Sequence, residues 1–214
     1  MKNLKKALIP VLLLALIFTL AACGSNPNAE NIIGTWFTNF DYSDQIKNYI
    51  GADVAALDFK FDMPFLFDFE ADGTYSLAVD KTQLQKNIDD LIDDELIVFV
   101  KGQIIEQIEG MMTYEAFEAY YEAENNVAFE ENMRNYFDAA LDVDTLTEGT
   151  GSVGRYKVVG DKLFLNTDVN DNNFGADYCV IEIVPDEKLT LVSSTNDNFS
   201  SGLFEFPLEL TKVK

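Results

Sequence analysis

The sequence predicts a mainly β fold: an eight-stranded antiparallel barrel interrupted by one α-helical insert. Three observations carry that expectation. Short runs of apolar and polar residues alternate with period two on both sides of a central segment. The runs are joined by turn signals such as Ala71-Asp72-Gly73, Gly160-Asp161 and Pro185-Asp186-Glu187. The intervening residues 81–148 contain no proline and switch to helical spacing. Eight antiparallel strands with hairpin connections suit an up-and-down barrel, whose closure removes the sheet edges.

Lys2, Lys5 and Lys6 form a basic start, and Ala7 to Ala22 is an apolar stretch of 16 residues with Pro10 inside it. A spanning helix needs roughly 20 residues, so the length and flanks suit a secretory signal instead. Leu20-Ala21-Ala22-Cys23 resembles the lipobox of bacterial lipoproteins. The resemblance implies cleavage after residue 22 and lipid attachment, palmitate included, at the Cys23 thiol. The chain is then expected on the extracytoplasmic face of the cell membrane, held by a lipid anchor. More than one acyl chain makes such an anchor stable, because each buried CH₂ contributes about 0.8 kcal/mol. Residues 23–31 are expected to be the lipidated Cys and a polar linker, with Ser25 to Asn31 spanning at most roughly 25 Å when extended.

The strands follow in order over residues 32–214. Ile32 to Phe40 carries Trp36, and Ser43 is a plausible N-cap for a short helix ending at Ile50. Phe59 to Phe69 alternates most clearly. Phe59, Phe61, Met63, Phe65, Phe67 and Phe69 share one face, with Asp58, Lys60, Asp62, Asp68 and Glu70 on the other. Pro64 inside this run argues for an edge or a bulge. Gly73 accepts the positive φ of a tight turn, and Thr74 to Val79 returns. After the insert come Val153 to Val159, Lys162 to Asn166, Tyr178 to Val184, Leu189 to Ser193 and Leu203 to Val213, the last with Pro207 implying another edge or bulge.

Within the insert, Leu84, Ile88, Leu91, Ile92 and Leu96 recur at helical spacing, and Ile104, Ile105 and Ile108 continue it. Leu96 to Val100 (LIVFV) taken alone would read as a strand. Gly110 marks a break, Thr113 can cap a helix opening Tyr114-Glu115-Ala116-Phe117, and another helix runs from about Val127 to Leu141. Asp80 and Ser152 end two strands expected side by side, so the insert is expected to be removable.

Gly34-Thr35-Trp36 resembles the G-x-W signature of lipocalins. The hairpins Phe69-Glu70-Ala71-Asp72-Gly73-Thr74-Tyr75 and Gly160-Asp161-Lys162-Leu163 resemble lipocalin-like domains of bacterial lipoproteins. The resemblance spans nearly all of residues 32–214. It departs in the large insert, in the lack of a C-terminal helix and disulfide, and in the absence of a C-terminal arginine to cover the tryptophan, for which Lys212 is the only obvious substitute. It implies a lipocalin-like barrel and a small hydrophobic or amphipathic ligand. Trp36 is then either the floor of a ligand cup or the filling of the barrel end, and Phe59, Phe61, Phe65, Phe67 and Phe69 either line an apolar pocket or are plain core.

Composition narrows the function further. The chain has 15 basic and 37 acidic residues and no histidine. Removal of residues 1–22 takes three lysines away, leaving 12 against 37, a net charge of −25. Such a surface repels the phosphates of nucleic acid, and no nucleic-acid partner is expected. The lack of histidine removes the Ser-His-Asp and Cys-His arrangements and the commonest zinc ligand. Nothing singles out a catalytic pair among the carboxylates, so an enzyme is not expected, and no cofactor or metal is assigned. Asp89, Asp90, Asp93, Asp94 and Glu95 read as a solvated helix face. Asp168 to Asn173 begins like a calcium loop but has Asn173 at the sixth position and Cys179 at the twelfth. Cys179 reads as a buried strand residue. The competing function is a protein-interaction or envelope-structural module with a filled barrel, whose partner docks on the insert through Tyr114, Phe117, Tyr120, Tyr121, Phe129, Tyr136 and Phe137.

Overall fold

Each short alternating run pairs with the next in sequence, and the last pairs with the first. In the computed structural model, which describes residues 26–51, 57–195 and 205–214, the strands are β1 (Gly34–Asp41), β2 (Asp62–Phe69), β3 (Thr74–Val79), β4 (Ser152–Val159), β5 (Lys162–Asn166), β6 (Cys179–Val184), β7 (Lys188–Ser194) and β8 (Leu208–Lys212). They close into an antiparallel barrel in sequence order, the predicted architecture. The expected signal segment 1–22 and lipid attachment at Cys23 lie outside the described residues, and no helix among the described residues is long and apolar enough to cross a membrane.

Antiparallel order puts the connections at two ends. The tight turns 70–73, 160–161 and 185–187 share one end; the long connections 42–61, 80–151, 167–178 and 195–207 share the other. The first is a closed end and the second a mouth.

Residues 27–31, expected as linker, instead form a short helix, α1 (Pro27–Asn31). Asn26 caps it, its side chain accepting from Asn28 N at 3.2 Å, and Pro27 sits at the first helical position, where its missing N–H costs nothing. Asn26 also donates to Val158 O (3.2 Å) and Asn28 to Gly160 O (2.9 Å), so the helix is tied to β4 and the turn after it. Its polar composition mimics a linker because its side chains bond backbone at the closed end.

β2 is shorter than the alternation from Phe59 implies, yet the inward parity holds: Phe59, Phe61, Met63, Phe65, Phe67 and Phe69 are all buried. Pro64 is not in a bulge; it lies one residue beyond the β2–β3 ladder, at a local edge on that side. Tyr42 N donates to Phe61 O (2.8 Å), which turns the odd residues of β2 toward β1 and the even ones, Pro64 included, toward β3. There β3 has run out, and Asp80 N donates to Pro64 O (3.0 Å) where no reciprocal N–H is needed. The register shift lies at Val180/Ile181, and Pro207 precedes β8 instead of interrupting it. In α2 (Ser43–Ile50) the Ser43 hydroxyl is not the cap; it donates to Asp41 Oδ1 (2.5 Å) and accepts from Phe61 N (2.8 Å), pinning the β1–β2 connection.

The insert is helical throughout. α3 (Lys81–Leu91) begins at Asp80, whose carboxylate accepts from Thr82 N and Gln83 N, both at 3.1 Å. One π-helical turn, Ile92–Leu96, leads into α4 (Ile97–Ile108). The β-prone LIVFV run is therefore helix, because a capped helix already under way overrides the preference of five residues. α5 (Tyr114–Asn125), capped by Thr113, α6 (Phe129–Ala140) and α7 (Val143–Thr147) complete it. Leu84, Ile88, Leu91, Ile92, Leu96, Phe137 and Leu141 join the same buried cluster as Phe40, Ile46 and the phenylalanines of β2. Its helices share the barrel's core, beside Ile46 of α2 on the β1–β2 side.

Candidate functional site

The closed end is built around Trp36. Its indole is fully buried and donates Nε1–H to Ile32 O at 2.6 Å. β8 pairs with β1 so that Lys212 is opposite Trp36. The Lys212 ammonium lies 4.4 Å from the indole centroid and donates to Ile33 O, a cation–π contact closed by a hydrogen bond. Gly34 leaves the room: it has φ +118°, and a Cβ there would stand 2.8 Å from Lys212 Nζ. The G-x-W spacing is thus a packing requirement, with Lys212 as cover.

Away from Trp36 the interior is hollow. A cavity of about 460 Å³ is walled by Phe67 and Phe69 of β2, Leu77 of β3, Leu163 and Leu165 of β5, Leu189 and Leu191 of β7 and Leu210 of β8. Tyr75 and Ser152 add hydroxyls, and Asn166, Thr167, Asp171, Asn173 and Gly175 form a polar rim on the β5–β6 connection. This is the shape of a small-molecule site: apolar walls with a few polar groups at one side. A smaller cavity of about 190 Å³, lined by Phe40, Tyr42, Phe65, Leu77 and residues 148–150, lies across Leu77, which belongs to both.

The rim is held by its own amides. Asn166 donates to Asp171 O (3.1 Å) and Asn173 O (3.3 Å) and accepts from Asp168 N (2.9 Å), while Asp168 and Asp171 accept from Asn170 N and Asn173 N. The aspartates of the calcium-like run are used in these turns, and among the described residues no group of acidic, Cys or His side chains is arranged to hold a metal ion. In α3 and the π-turn, Asp89 accepts from Gln85 (3.0 Å), Asp90 pairs with Lys86 and Asp93 with Arg134, consistent with a solvated face.

Of the residues singled out in the sequence, Phe67 and Phe69 line the main cavity and Phe65 the smaller one, where it meets Phe40 edge-on at 5.0 Å. Trp36 lines neither; it is packing at the closed end. Phe59 is buried beneath Lys47, whose ammonium lies 5.2 Å from its ring. Phe61 borders a separate groove of about 480 Å³ between the outer face of β1–β2 and α3, with Lys60, Asp62, Asp90 and Asp94. The leucines of β5, β7 and β8 and the Asn166 rim were missed, though period-two alternation in those strands marks the same inward parity. Cys179 is buried, and burial pushes its thiol above its ordinary value, consistent with an unreactive strand residue.

The aromatic residues of the insert mostly hold it together. Phe117 and Tyr121 stack edge-on against Phe129 at 5.3 and 5.2 Å, and Lys101 covers Tyr114 at 4.5 Å. Only Tyr120 and Tyr136 of the group are left well exposed. No protein-family model, curated protein or solved structure matches this chain.

Proposed function

We propose that this protein is a membrane-anchored, lipocalin-like lipoprotein on the extracytoplasmic face, which binds a small hydrophobic or amphipathic molecule in its barrel and performs no catalysis. The single observation that supports this best is the 460 Å³ apolar cavity with a one-sided polar rim. A barrel evolved only as a scaffold would fill its interior with side chains, as the closed end around Trp36 does. The insert then serves as fixed cover for the mouth on the β1–β2 side. The lipid anchor rests on the Leu20 to Cys23 motif, and Cys23→Ala should abolish palmitate labelling; a mutant still labelled in membranes would refute the anchor.

Ligand binding is tested with the full chain in phosphatidylcholine nanodiscs, empty nanodiscs serving as the blank. The neutral probe N-phenyl-1-naphthylamine should give a saturable fluorescence rise, lost in Leu165→Trp, which fills the cavity. An unsaturable response from folded wild type would end this reading.

A second reading has its own support. α4 buries none of its residues although seven of its twelve are apolar, Val98 is 59% exposed, and Met111 and Met112 project from the hairpin tip after it. Such a face favours a docked protein. A photo-crosslinker at Val98 that gives one adduct in membranes, with the probe failing to bind, would favour it.

A further inference from the structure

We infer that the cavity selects a cationic amphiphile, an apolar body carrying an ammonium group, over an anionic one such as a fatty acid. The inference rests on the ligand-binding reading above and adds the charge of the ligand. Among the described residues, Asp171 is the only charged one lining the main cavity and Glu148 the only one lining the smaller cavity, and no lysine or arginine lines either. The Asp171 carboxylate is held in place at the rim: it accepts from Asn173 N at 2.8 Å, and Asn166 at the end of β5 anchors the same turn.

The surroundings carry the same sign. The mouth connection 167–178 contains no lysine or arginine, the insert 81–148 has 4 basic residues against 17 acidic ones, and in the connection after β1 Lys47 lies over the Phe59 ring and Lys60 pairs with Asp62. A carboxylate head entering this mouth loses water and gains no cation, which is costly. An ammonium head gains Asp171 and the rings of Phe67, Phe69 and Tyr75 in the main cavity, or Glu148 at the smaller one, and the net charge of −22 concentrates cations at the surface before binding. A neutral head is indifferent to all of this, so charge alone separates the ligands.

The experiment is calorimetric titration of the full chain in phosphatidylcholine nanodiscs with decyltrimethylammonium, decanol and decanoate, which share one chain and differ in head charge. Decyltrimethylammonium should bind about tenfold more tightly than decanoate, as expected for two exposed carboxylates each shifting affinity a few-fold in either direction. In the double variant Asp171→Asn, Glu148→Gln the preference should shrink to within about threefold while decanol affinity stays the same. Decanoate binding as tightly as the cation, or a preference unchanged in the double variant, would overturn the inference and leave the cavity reading standing as long as decanol saturates. Failure of all three to saturate would overturn both.

Discussion

Two regions of this barrel's interior, the surroundings of Trp36 and the leucine-walled space facing Phe67 and Phe69, are packed differently. Around Trp36 the space is taken: the indole is fully buried, bonded to Ile32 O and covered by Lys212, with Gly34 clearing the room. Across the interior, where β5, β7 and β8 turn leucines inward against Phe67 and Phe69, a cavity remains that runs from Leu163 and Leu189 beside the tight turns to the Asn166 rim at the mouth. The contrast teaches where this fold places stability and where it leaves room.

Removing side chains of comparable apolar character in the two regions sharpens the comparison most. Trp36→Ala should cost about 3–5 kcal/mol, because a filled site relaxes poorly around a new void. Leu165→Ala, at a wall already facing a cavity, should fall near or below about 2 kcal/mol, the low end for such truncations. Urea unfolding of both variants measures this, and equal losses would mean that the cavity collapses in solution.

A smaller effect is expected from Lys212→Met. The variant keeps the apolar stem and loses the ammonium over Trp36 and the bond to Ile33 O, a loss of about 1–2 kcal/mol. Trp36 fluorescence should shift as well, since it is the only tryptophan in the chain; an unmoved spectrum would show that the lysine does not cover the ring.

The smallest is a pH effect at the closed end. Tyr156 is buried, donates to Glu70 O at 2.9 Å and meets Phe69 edge-on at 5.0 Å. Burial, with Asp72 and Glu70 nearby, pushes its phenol up to about 12. A raised value means that its contribution is complete below the ordinary tyrosine value of about 10 and is lost as pH rises toward 12. Stability should therefore fall across that interval, and Tyr156→Phe should flatten the fall while costing about 1 kcal/mol at neutral pH. An alkaline limb identical in both proteins would assign it to other groups.

Much of this molecule is legible in its residues. Period-two alternation names the eight strands and their inward faces, because a pleated chain has only two sides. The switch to helical spacing at 81–148 marks the insert, and Gly34, Trp36 and Lys212 could be grouped as the closed end before any coordinate was known. Alternation does not say whether an inward face is filled. Phe61, Phe65 and Phe67 look alike in sequence, yet they border an outer groove, the smaller cavity and the main one, because each one's neighbour across the barrel comes from a strand far away in the chain.

What the sequence by itself determined is the architecture: strand number, hairpin order, the polarity of each face, an acidic surface without histidine, and a lipobox-like start. The tertiary structure alone decided where the space lies. Local preference is set by neighbours along the chain, but a cavity is the volume left when distant side chains meet. Leu163, Leu189 and Leu210 leave a gap where Trp36 does not. Closure of β8 onto β1 brought Lys212 over Trp36, and bonds to Val158 and Gly160 fixed a polar Asn-Pro segment as a helix against β4. These contacts join residues more than a hundred positions apart, and no periodicity carries information over that distance.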